Sequence, residues 1–500
     1  MVKVDRFNAA HCKVRVSDFN ISREIKEFFS YEIDGAKYHP LVKARKWDGR
    51  ISLFDASTGL LYNGLIPHLK QFCKERDIPC DVTFTDSNSV ELEDIEDFIE
   101  SLRISNSHAE ELQLRDYQIQ AVADAIKNKR IIIKSPTSSG KSAIIFAVIR
   151  WLFENGQKVL LVVPNISLIN QMYNDFIEYS LLSGWDVEKN VHKVFAGQEK
   201  NDENKQIILS TYQSIAKLPK SFFSVFDAVL VDECHGSTGA SMRNIMEKCT
   251  NAWYRIGTTG TIDVRGNKVK TNKLVLQGLF GFIKEVISTR ELMDNGMVAD
   301  LSIKLMHLKY PDDVRRKYCK SEYQTEMNYI CTNENRNKFI CNLAAEQKKN
   351  TLILTQYVDN QGKILYDMLR ERFGDKRNVY FVSGAMKGDE REEIRAKMEL
   401  EQDAVLIATV QTMGTGSNIK NIHTYISASP SKSIVRVLQT IGRVLRISDT
   451  KKSAIMFDIF DDLSFGKSLN HTSRHANERI SIYKEQRFKF NLVTIPFKSE

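Results

Sequence analysis

Residues 130–142 read RIIIKSPTSSGKS, a short apolar run followed by a loop that ends in Gly-Lys-Ser. The run RIIIK predicts a buried strand, and the apolar residues after Ser142 predict a helix that continues to Trp151. Backbone N–H groups at the start of such a helix favour the binding of phosphate. The stretch therefore predicts a phosphate-binding loop in which Lys141 neutralises the β- and γ-phosphates and Ser142 binds Mg²⁺.

The same alternation of short β-rich runs and helix-length segments extends along the chain on both sides of this loop. It is typical of a parallel sheet covered by helices, so the predicted architecture is α/β. The pattern starts again after Gly281, and two α/β lobes are therefore predicted in tandem. The predicted strands are residues 130–134, 159–163, 206–210 and 228–232 in the first lobe and 351–355, 379–383, 405–409 and 424–429 in the second.

Charge separates the two ends of the chain from these lobes. Residues 1–76 contain 14 Lys/Arg and 9 Asp/Glu, whereas residues 77–110 contain 1 and 10, which predicts a basic unit followed by an acidic segment. The C-terminal residues are basic as well, and Lys484, Arg487 and Lys489 give them a cationic strip. The predicted domains are a small basic α+β domain (1–108), the first lobe (109–285), the second lobe (286–470) and a basic C-terminal helix and tail (471–500).

The composition is that of an ordinary globular chain and excludes several classes of protein. The 500 residues are 42% hydrophobic and 27% charged, which argues against a disordered or fibrous chain. The longest apolar stretch, Ala143–Ile149, is too short to cross a bilayer, and no signal peptide precedes it, so we expect a cytoplasmic protein without membrane contact. Eight cysteines without a CxxC pair predict neither a disulfide framework nor a zinc site. The net charge of +8 is a modest bias towards polyanionic partners.

The sequence DECH at 232–235 places two adjacent carboxylates at the end of an apolar strand. A nucleotide loop needs an acid that holds magnesium and a base near the attacking water. Asp232 would bind the metal through water, and Glu233 would polarise the nucleophile. Two solvated carboxylates that close a strand are the alternative, but the phosphate loop upstream favours the catalytic interpretation.

The sequence QTIGRVLR at 439–446 predicts a helix with two different faces. Gln439, Arg443 and Arg446 fall on one face, opposite an apolar stripe. A solvated basic face is one interpretation. The other is a pair of arginine fingers, since an arginine that reaches a γ-phosphate accelerates hydrolysis by about 10³–10⁵. The apolar stripe consists of Ile434, Leu438, Ile441 and Leu445.

Eight short motifs together resemble those of DExH-type superfamily 2 helicases, in the same order and at approximately the same spacing. Such enzymes contain two tandem RecA-like lobes and use ATP with Mg²⁺. The motifs cover about two thirds of the chain. They are LRDYQ (114–118), SPTSSGKS (135–142), VVPNISLINQ (162–171), STYQS (210–214), DECH (232–235), GTTGT (257–261), ATVQTMGTGSN (408–418) and QTIGRVLR (439–446).

The resemblance implies a role for individual residues of these motifs. Gln118 would read the adenine edge, Lys141 and Ser142 the phosphates and magnesium, and Asp232 and Glu233 would carry out hydrolysis with Arg443 and Arg446. Other ATP contacts are implied for Arg115, Pro136, Thr137, Ser138, Ser139, Gly140, Gly416 and Gln439. Coupling of nucleotide state to lobe closure is implied for His235, Thr259 and Thr261, and contacts with nucleic acid for Pro164, Asn165, Thr211, Gln213 and Thr409.

The N-terminal stretch WDGRISLFD (47–55), read together with these motifs, is similar to the UvsW recombination helicases of tailed bacteriophages. That family implies branched DNA as substrate: Holliday junctions, forks, D-loops and R-loops, in recombination, repair and replication. We expect the chain to bind single-stranded and duplex DNA and RNA–DNA hybrids, to be a monomer when free, and to work beside a recombinase and a single-strand-binding protein.

The basic residues around the Trp47 turn form a candidate grip on a duplex arm or junction. Alternatively, Trp47 belongs to the core of a small domain and the charges are ordinary surface. The grip would consist of Lys43, Arg45, Lys46 and Arg50.

The motifs leave three other functions open. An RNA helicase or a duplex-DNA translocase of the same superfamily would carry nearly the same residues. A nucleic-acid-binding scaffold with a weak motor is the third alternative, because Ser135 replaces the first glycine of the phosphate-loop pattern.

Overall fold

The computed structural model describes most of the chain. The residues outside the description are 33–34, 86–87, 196–204, 263–266, 411, 413–418, 430–432, 448–450 and 498–500, together with the side chains of 267–271 and 434–436. The chain divides into two compact units. The first unit contains Met1–Ser135 and Gly140–Val286, and the second contains Pro136–Ser139 and Ile287–Glu500.

The first unit begins with a five-stranded mixed sheet in the order β5-β6-β2-β1-β7 and a separate pair, β3-β4. Strands β1 and β2 are antiparallel, whereas β7 joins β1 in parallel. These elements confirm the predicted small α+β region at the N-terminus. The strands are β1 (Val2–Arg6), β2 (His11–Val16), β3 (Ser30–Glu32), β4 (Arg50–Ser52), β5 (Phe54–Asp55), β6 (Leu60–Tyr62) and β7 (Cys80–Val82).

The next sheet of the first unit has the order β10-β11-β9-β12-β13-β8-β14, and all of its described pairs are parallel. This confirms the predicted α/β lobe, and the four expected strands lie within one residue of their predicted bounds. The strands are β8 (Arg130–Lys134), β9 (Val159–Val163), β10 (Val191–Val194), β11 (Ile207–Thr211), β12 (Ala228–Val231), β13 (Tyr254–Thr259) and β14 (Phe282–Glu285).

The helices of the first unit cover both faces of this sheet and flank the N-terminal strands. The helix that follows the phosphate loop is apolar nearly all round because it is buried between the sheet and other helices. The helices are Phe19–Phe28, Pro40–Lys43, Ile66–Lys74, Leu92–Ser101, Asp116–Asn128, Lys141–Glu154, Ile166–Tyr179, Val187–Asn190, Tyr212–Ile215, Lys220–Phe223, Ala240–Lys248 and Asn267–Phe280.

Alternate residues of β8 belong to two different cores, because side chains of a strand point to opposite faces. Ile131 and Ile133 pack with the helices Asp116–Asn128 and Lys141–Glu154. Ile132 packs on the other face, in one continuous cluster that also contains Val2, Phe29, Leu65 and Phe72 of the N-terminal region. The N-terminal sheet and the first parallel sheet therefore share a hydrophobic core.

Polar contacts reinforce this shared core. The Arg130 guanidinium donates to the carbonyl of Ala9, and the Tyr62 hydroxyl donates to Glu247. Gly64 lies so close to the helix Asn267–Phe280 that a Cβ there would collide with the carbonyl of Gln277. The N-terminal region is thus fixed to the first parallel sheet at several points.

The second unit contains a parallel sheet in the order β17-β18-β16-β19-β20-β15-β21. This confirms the second predicted lobe. The strands are β15 (Asp300–Lys309), β16 (Thr351–Thr355), β17 (Val379–Val382), β18 (Val405–Thr409), β19 (Thr424–Ser427), β20 (Ser453–Asp462) and β21 (Lys489–Pro496). The helices are Thr289–Asp294, Asp312–Tyr318, Tyr323–Thr332, Glu334–Ala345, Ile364–Phe373, Gly388–Leu400, Ile434–Val444 and His471–Glu485.

The C-terminal segment differs from the helix and tail expected for residues 471–500. The helix His471–Glu485 is present, but Lys489–Pro496 forms β21, which pairs in parallel with β15 at the edge of the sheet. The expected tail is wrong because β21 mixes polar and apolar residues, all of them exposed or partly buried, and has no long apolar run to mark it as a strand. None of the described helices is long and apolar enough to span a bilayer.

Candidate nucleotide and nucleic-acid sites

The predicted lysine and acid of the first unit meet at the carboxyl edge of its parallel sheet. Lys141 begins the helix after β8, and Glu233 follows β12. Lys141 Nζ lies 3.0 Å from Glu233 Oε1, and the two side chains are 14% and 19% exposed. The two side chains therefore form an ion pair that is partly open to solvent.

The pKa values of the two members of this pair are shifted in opposite directions. Burial lowers the pKa of Lys141, but the charges of Glu233 and Asp232 outweigh burial and raise it above its ordinary value. Burial raises the pKa of Glu233, yet Lys141 and His235 hold it well below its usual range. For Asp232, burial and the charge of Glu233 raise the pKa. Asp232 is thus the carboxylate that would gain most from an added cation.

The residues predicted to couple nucleotide state to closure form one hydrogen-bonded chain with Glu233. His235 Nδ1 lies 2.9 Å from Thr259 Oγ1 and 3.2 Å from Glu233 Oε2. The Thr259 hydroxyl also donates to the carbonyl of Thr261 at 2.9 Å. Glu233 itself has a left-handed backbone with φ 50, a conformation that costs energy for a residue with a side chain.

The phosphate loop is shaped by a hydrogen bond within the loop and by positive backbone φ angles. The Ser139 hydroxyl donates to the carbonyl of Pro136 at 2.6 Å, and Ser138 adopts φ 71. Gly140 adopts φ 79, and a Cβ there would collide with Gln118 Nε2. Glycine is therefore required at this position. Thr137 completes the described loop between Pro136 and Ser138.

Gln118 and Arg115 sit beside this loop. Gln118 is 6% exposed, and its Oε1 accepts from the Arg115 backbone N–H at 2.8 Å at the start of the helix Asp116–Asn128. The Arg115 guanidinium donates to the Tyr117 hydroxyl at 3.2 Å. The predicted adenine-reading glutamine is thus held against Gly140 by a helix cap.

Two hydrogen-bond partners at this site, those of Asp232 and Ser142, were not predicted from the sequence. The Thr258 hydroxyl donates to Asp232 Oδ1 at 2.7 Å, and the Tyr179 hydroxyl lies 2.7 Å from Ser142 Oγ. Thr258 stands inside the GTTGT motif, so the motif could have identified it. Tyr179 ends a separate helix, and nothing in the sequence pairs it with Ser142.

Lys141, Ser142 and Asp232 have the chemistry to bind a nucleoside triphosphate and a divalent cation. The ammonium of Lys141 and the amide groups that begin its helix suit phosphate oxygens. The carboxylate of Asp232 and the hydroxyl of Ser142 are oxygen ligands of the kind that Mg²⁺ prefers.

Four predicted nucleic-acid contacts lie at or just after the carboxyl ends of two neighbouring parallel strands, β9 and β11. Gln213 Nε2 donates to the carbonyl of Pro164 at 3.5 Å, which brings the two segments together. Asn165 and Thr211 cap the helices that follow, and they accept from Leu168 N at 3.0 Å and Ser214 N at 3.4 Å. Their side chains therefore orient helix N-termini at the carboxyl edge of the sheet.

In the second unit, Thr409 ends β18, and its hydroxyl lies 2.6 Å from that of Thr412. Gly416, predicted to lie near the nucleotide, is outside the described residues. The predicted helix ends at Val444, so Arg446 follows the helix and does not belong to it. Gln439, Arg443 and Arg446 are partly buried, whereas Ile441 and Leu445 are each 1% exposed, as the apolar stripe predicts.

The N-terminal basic turn is exposed. Lys43, Arg45 and Lys46 lie on the surface, and Arg50 reaches the carbonyl of Ser30 at 3.3 Å. Trp47 is partly exposed, and its indole N–H donates to the carbonyl of Arg50 at 2.9 Å. Trp47 therefore closes the turn and lies outside the hydrophobic clusters described for this unit.

Comparisons with known proteins agree with this arrangement. The ATP-dependent DNA helicase uvsW of Enterobacteria phage T4 is 30% identical over 99% of both chains. The chain belongs to the UvsW family of helicases. Residues 2–83 match the family "DNA helicase UvsW, N-terminal", residues 111–264 "Type III restriction enzyme, res subunit", and residues 335–448 "Helicase conserved C-terminal domain".

Membership of the UvsW family is also visible in the fold. The crystal structure of T4 UvsW has a TM-score of 0.53 at 28% identity and covers 99% of both chains. A DNA 3'-5' translocase, XPB2 of Sulfurisphaera tokodaii, is 25% identical over 70% of this chain and 82% of its own. The UvsW-like chain is thus an ATP-dependent DNA helicase with two RecA-like lobes behind a small N-terminal domain.

Proposed function

We propose that this helicase remodels branched DNA, including Holliday junctions, forks, D-loops and R-loops, by branch migration, unwinding or annealing. The observation that carries the proposal is the match with T4 UvsW over 99% of the chain, which includes the N-terminal region with its exposed basic turn. Branch migration breaks and forms base pairs in equal number, so the motor supplies direction more than net melting energy.

Hydrolysis in this proposal depends on the network around Glu233. ATP bound with Mg²⁺ supplies the phosphoanhydride bond, whose cleavage drives the motor. Lys141 exchanges its contact with Glu233 for phosphate oxygens, and Glu233 then orients the attacking water. Asp232 and Ser142 would hold the metal, and Gln118 would read the base. Arg443 and Arg446 serve as arginine fingers.

Substrate selection depends on the basic turn and on the carboxyl edges of the sheets. Phosphate contacts position a nucleic acid without reading its sequence, so binding follows shape. The partly exposed Trp47 fixes the turn that presents Lys43, Arg45, Lys46 and Arg50. We further propose that the helicase works beside a recombinase and a single-strand-binding protein in recombination, repair and replication. We also propose that it is a monomer when free.

A panel of fluorescent four-way, three-way, R-loop and linear substrates tests the proposal. We expect ATP-dependent conversion of the branched substrates by wild type and none by Lys141→Ala. ATPase stimulation by forked DNA, single-stranded DNA, RNA and blunt duplex separates the alternatives. Stimulation by RNA alone would identify an RNA helicase, and stimulation by blunt duplex alone would identify a duplex-DNA translocase. If wild type hydrolyses no ATP, a nucleic-acid-binding scaffold is favoured.

The basic turn is tested by substitution, because deletion of the N-terminal region would expose the core that it shares with Ile132. We expect the combination Lys43→Glu, Arg45→Glu and Lys46→Glu to weaken junction binding about tenfold while ATPase stimulated by single-stranded DNA is retained. A matched exposed set near the amino ends of β16 and β17, Lys348→Glu, Lys349→Glu and Lys376→Glu combined, is the control. Equal losses of both activities would contradict the assignment.

A further inference from the structure

The second unit has a basic surface cavity that no helicase motif supplies. It has a volume of about 440 Å³, and its eight lining residues include Lys320, Lys467, Arg474, Leu469 and His471. None of these eight described residues has a carboxylate. We propose that this cavity, the basic pocket, binds backbone phosphates of the nucleic acid on which the helicase acts.

The fold places the cavity at the carboxyl edge of the sheet. Strands β15 and β20 are adjacent and parallel, so the chain leaves both at the same edge. Lys320 follows the helix after β15, while Lys467 and Arg474 follow β20. Charged side chains from two segments far apart in sequence therefore converge on one surface.

The turn that carries Lys467 is closed by two backbone hydrogen bonds. Phe465 N–H donates to the carbonyl of Ser468 at 3.1 Å, and Ser468 N–H donates back at 3.0 Å. Gly466 adopts φ 60 between them, a conformation that suits glycine. The turn thus holds Lys467 at its tip, and little conformational entropy of the backbone remains to be lost on binding.

The other two cations are presented differently. Arg474 Nε and Nη2 donate to the carbonyl of Leu469 at 3.2 and 2.9 Å, which fixes the guanidinium at the rim. Lys320 and Lys467 have no ion-pair partner among the residues that the structure describes. Lysine and arginine in this state bind phosphate without first giving up a carboxylate.

Two of the neighbouring carboxylates, Glu326 and Asp312, are engaged elsewhere. Glu326 is fully buried and accepts from Asn470 Nδ2, His471 N and Thr472 N at 2.7–2.9 Å. Asp312 pairs with Arg315 at 2.9 Å. Arg315 also donates to the carbonyl of Ser464 at 2.6 Å and thereby ties the two walls of the basic pocket together. The local charge thus favours an anion.

The basic pocket lies at the same sheet edge as Thr409, a predicted nucleic-acid contact. Three to four strand spacings separate β18 from β20 and β15 in the sheet order, or about 14–19 Å. The proposal rests on the proposed function, because a phosphate pocket built from residues outside the nucleotide motifs serves a chain that holds nucleic acid. Exposed Leu469 offers an apolar surface for a sugar or base.

Charge reversal tests the basic pocket. We compare the full chain with Lys320→Glu, Lys467→Glu and Arg474→Glu combined, measuring fluorescence anisotropy on a single-stranded and on a duplex oligonucleotide over a range of salt. The matched control is Lys348→Glu, Lys349→Glu and Lys376→Glu combined, three exposed lysines near the amino ends of β16 and β17. Both variants change the net charge equally.

We expect the pocket variant to lose at least about tenfold in affinity, and the control to change by less than about twofold. The slope of log affinity against log salt should flatten by about 2 for single strands or about 3 for duplex, because three phosphate contacts are lost. The oligonucleotide that shows the loss identifies the strand form bound. Unchanged slopes on both, or an equal loss in the control, would overturn the proposal.

Folding of the variants is checked by thermal melting and by ATPase without DNA. If the glutamate set melts early, the milder set Lys320→Gln, Lys467→Gln and Arg474→Gln replaces it. A wild type that binds DNA through this pocket but moves no junction would reject the proposed function and leave the basic pocket in place.

Discussion

The two parallel sheets carry charged clusters of different kinds at their carboxyl edges. In the first unit, Lys141 and Glu233 share one contact at 3.0 Å and are 14% and 19% exposed. In the second, Arg336 and Asp461 are both fully buried and joined by two contacts, 2.7 Å from Nε and 2.9 Å from Nη2. Partial exposure and a single contact suit a pair that changes partners, whereas full burial and a bidentate contact suit a pair that holds structure.

The largest expected effect separates activity from stability in the first unit. Glu233→Gln keeps the size of the side chain and a hydrogen-bond acceptor for Lys141, but it removes the charge that would orient water. We expect kcat of the ATPase to fall by about 10³ while the melting temperature moves by no more than a few degrees. Steady-state hydrolysis and thermal melting measure the two. Turnover within threefold of wild type would assign hydrolysis to another group.

The converse is expected for the buried pair of the second unit. Asp461→Asn leaves the Arg336 charge buried without a counter-charge, which costs about 3–5 kcal/mol in the free energy of unfolding. Urea unfolding followed by circular dichroism measures it. The double variant Arg336→Met with Asp461→Leu should recover part of that loss, since an apolar pair needs no desolvated charges. A loss below about 1 kcal/mol for Asp461→Asn would show that the pair is exchangeable after all.

Two buried threonines, one in each parallel sheet, test whether the Asp232 carboxylate binds a metal. Thr258 donates to Asp232, whereas buried Thr355, which ends β16 in the second sheet, has an Oγ1 without a hydrogen-bond partner in the described structure. Thr258→Val should raise the Mg²⁺ concentration for half-maximal ATPase about fivefold to tenfold, through the loss of one charge-assisted hydrogen bond. Thr355→Val should leave it unchanged. A similar shift in both variants would contradict a metal role for Asp232.

A buried lysine of the second unit, Lys451, lies behind the end of the helix Ile434–Val444. Its ammonium donates to the carbonyls of Val444 and Lys420, and Glu399 and Arg446 are the charged groups near it. Burial, together with Arg446, lowers the pKa of Lys451 from 10.5 to about 7. Between these values the unfolded chain holds a proton that the folded chain has lost, so the free energy of unfolding rises with pH.

Lys451→Met removes this rise. Between pH 7 and 10, the melting temperature of wild type should therefore rise relative to that of the variant. We expect about 2–4 °C for each kcal/mol gained in the free energy of unfolding. Lys452→Met, an exposed neighbour, is the control. A constant difference across that range would mean that Lys451 keeps its ordinary pKa in the folded chain.

The strands that form the centre of each sheet could be predicted from sequence, and their surroundings could not. Runs such as RIIIK are apolar on both faces because both faces of a parallel sheet are covered. Strand β21 lies at an edge and mixes polar and apolar residues, so its sequence resembles a polar tail. Apolar residues of the N-terminal region predict a core, but nothing in their spacing tells that Ile132 shares it.

The candidate site shows the same division. Motif order identified Lys141, Glu233, His235 and Thr259, and the structure joins these four in one network. Contacts between motifs are set by the folded chain, so the bond from Tyr179 to Ser142 had no signal in the sequence.

The shared core of the first unit also constrains how the chain is made. Val2 packs in the same cluster as Phe280, although nearly the whole first unit separates them in sequence. During synthesis the N-terminal strands therefore wait, with their apolar faces uncovered, until the ribosome has released the helix that ends at Phe280. Contacts of such long range slow folding, and we expect the nascent first unit to depend on chaperones more than the second.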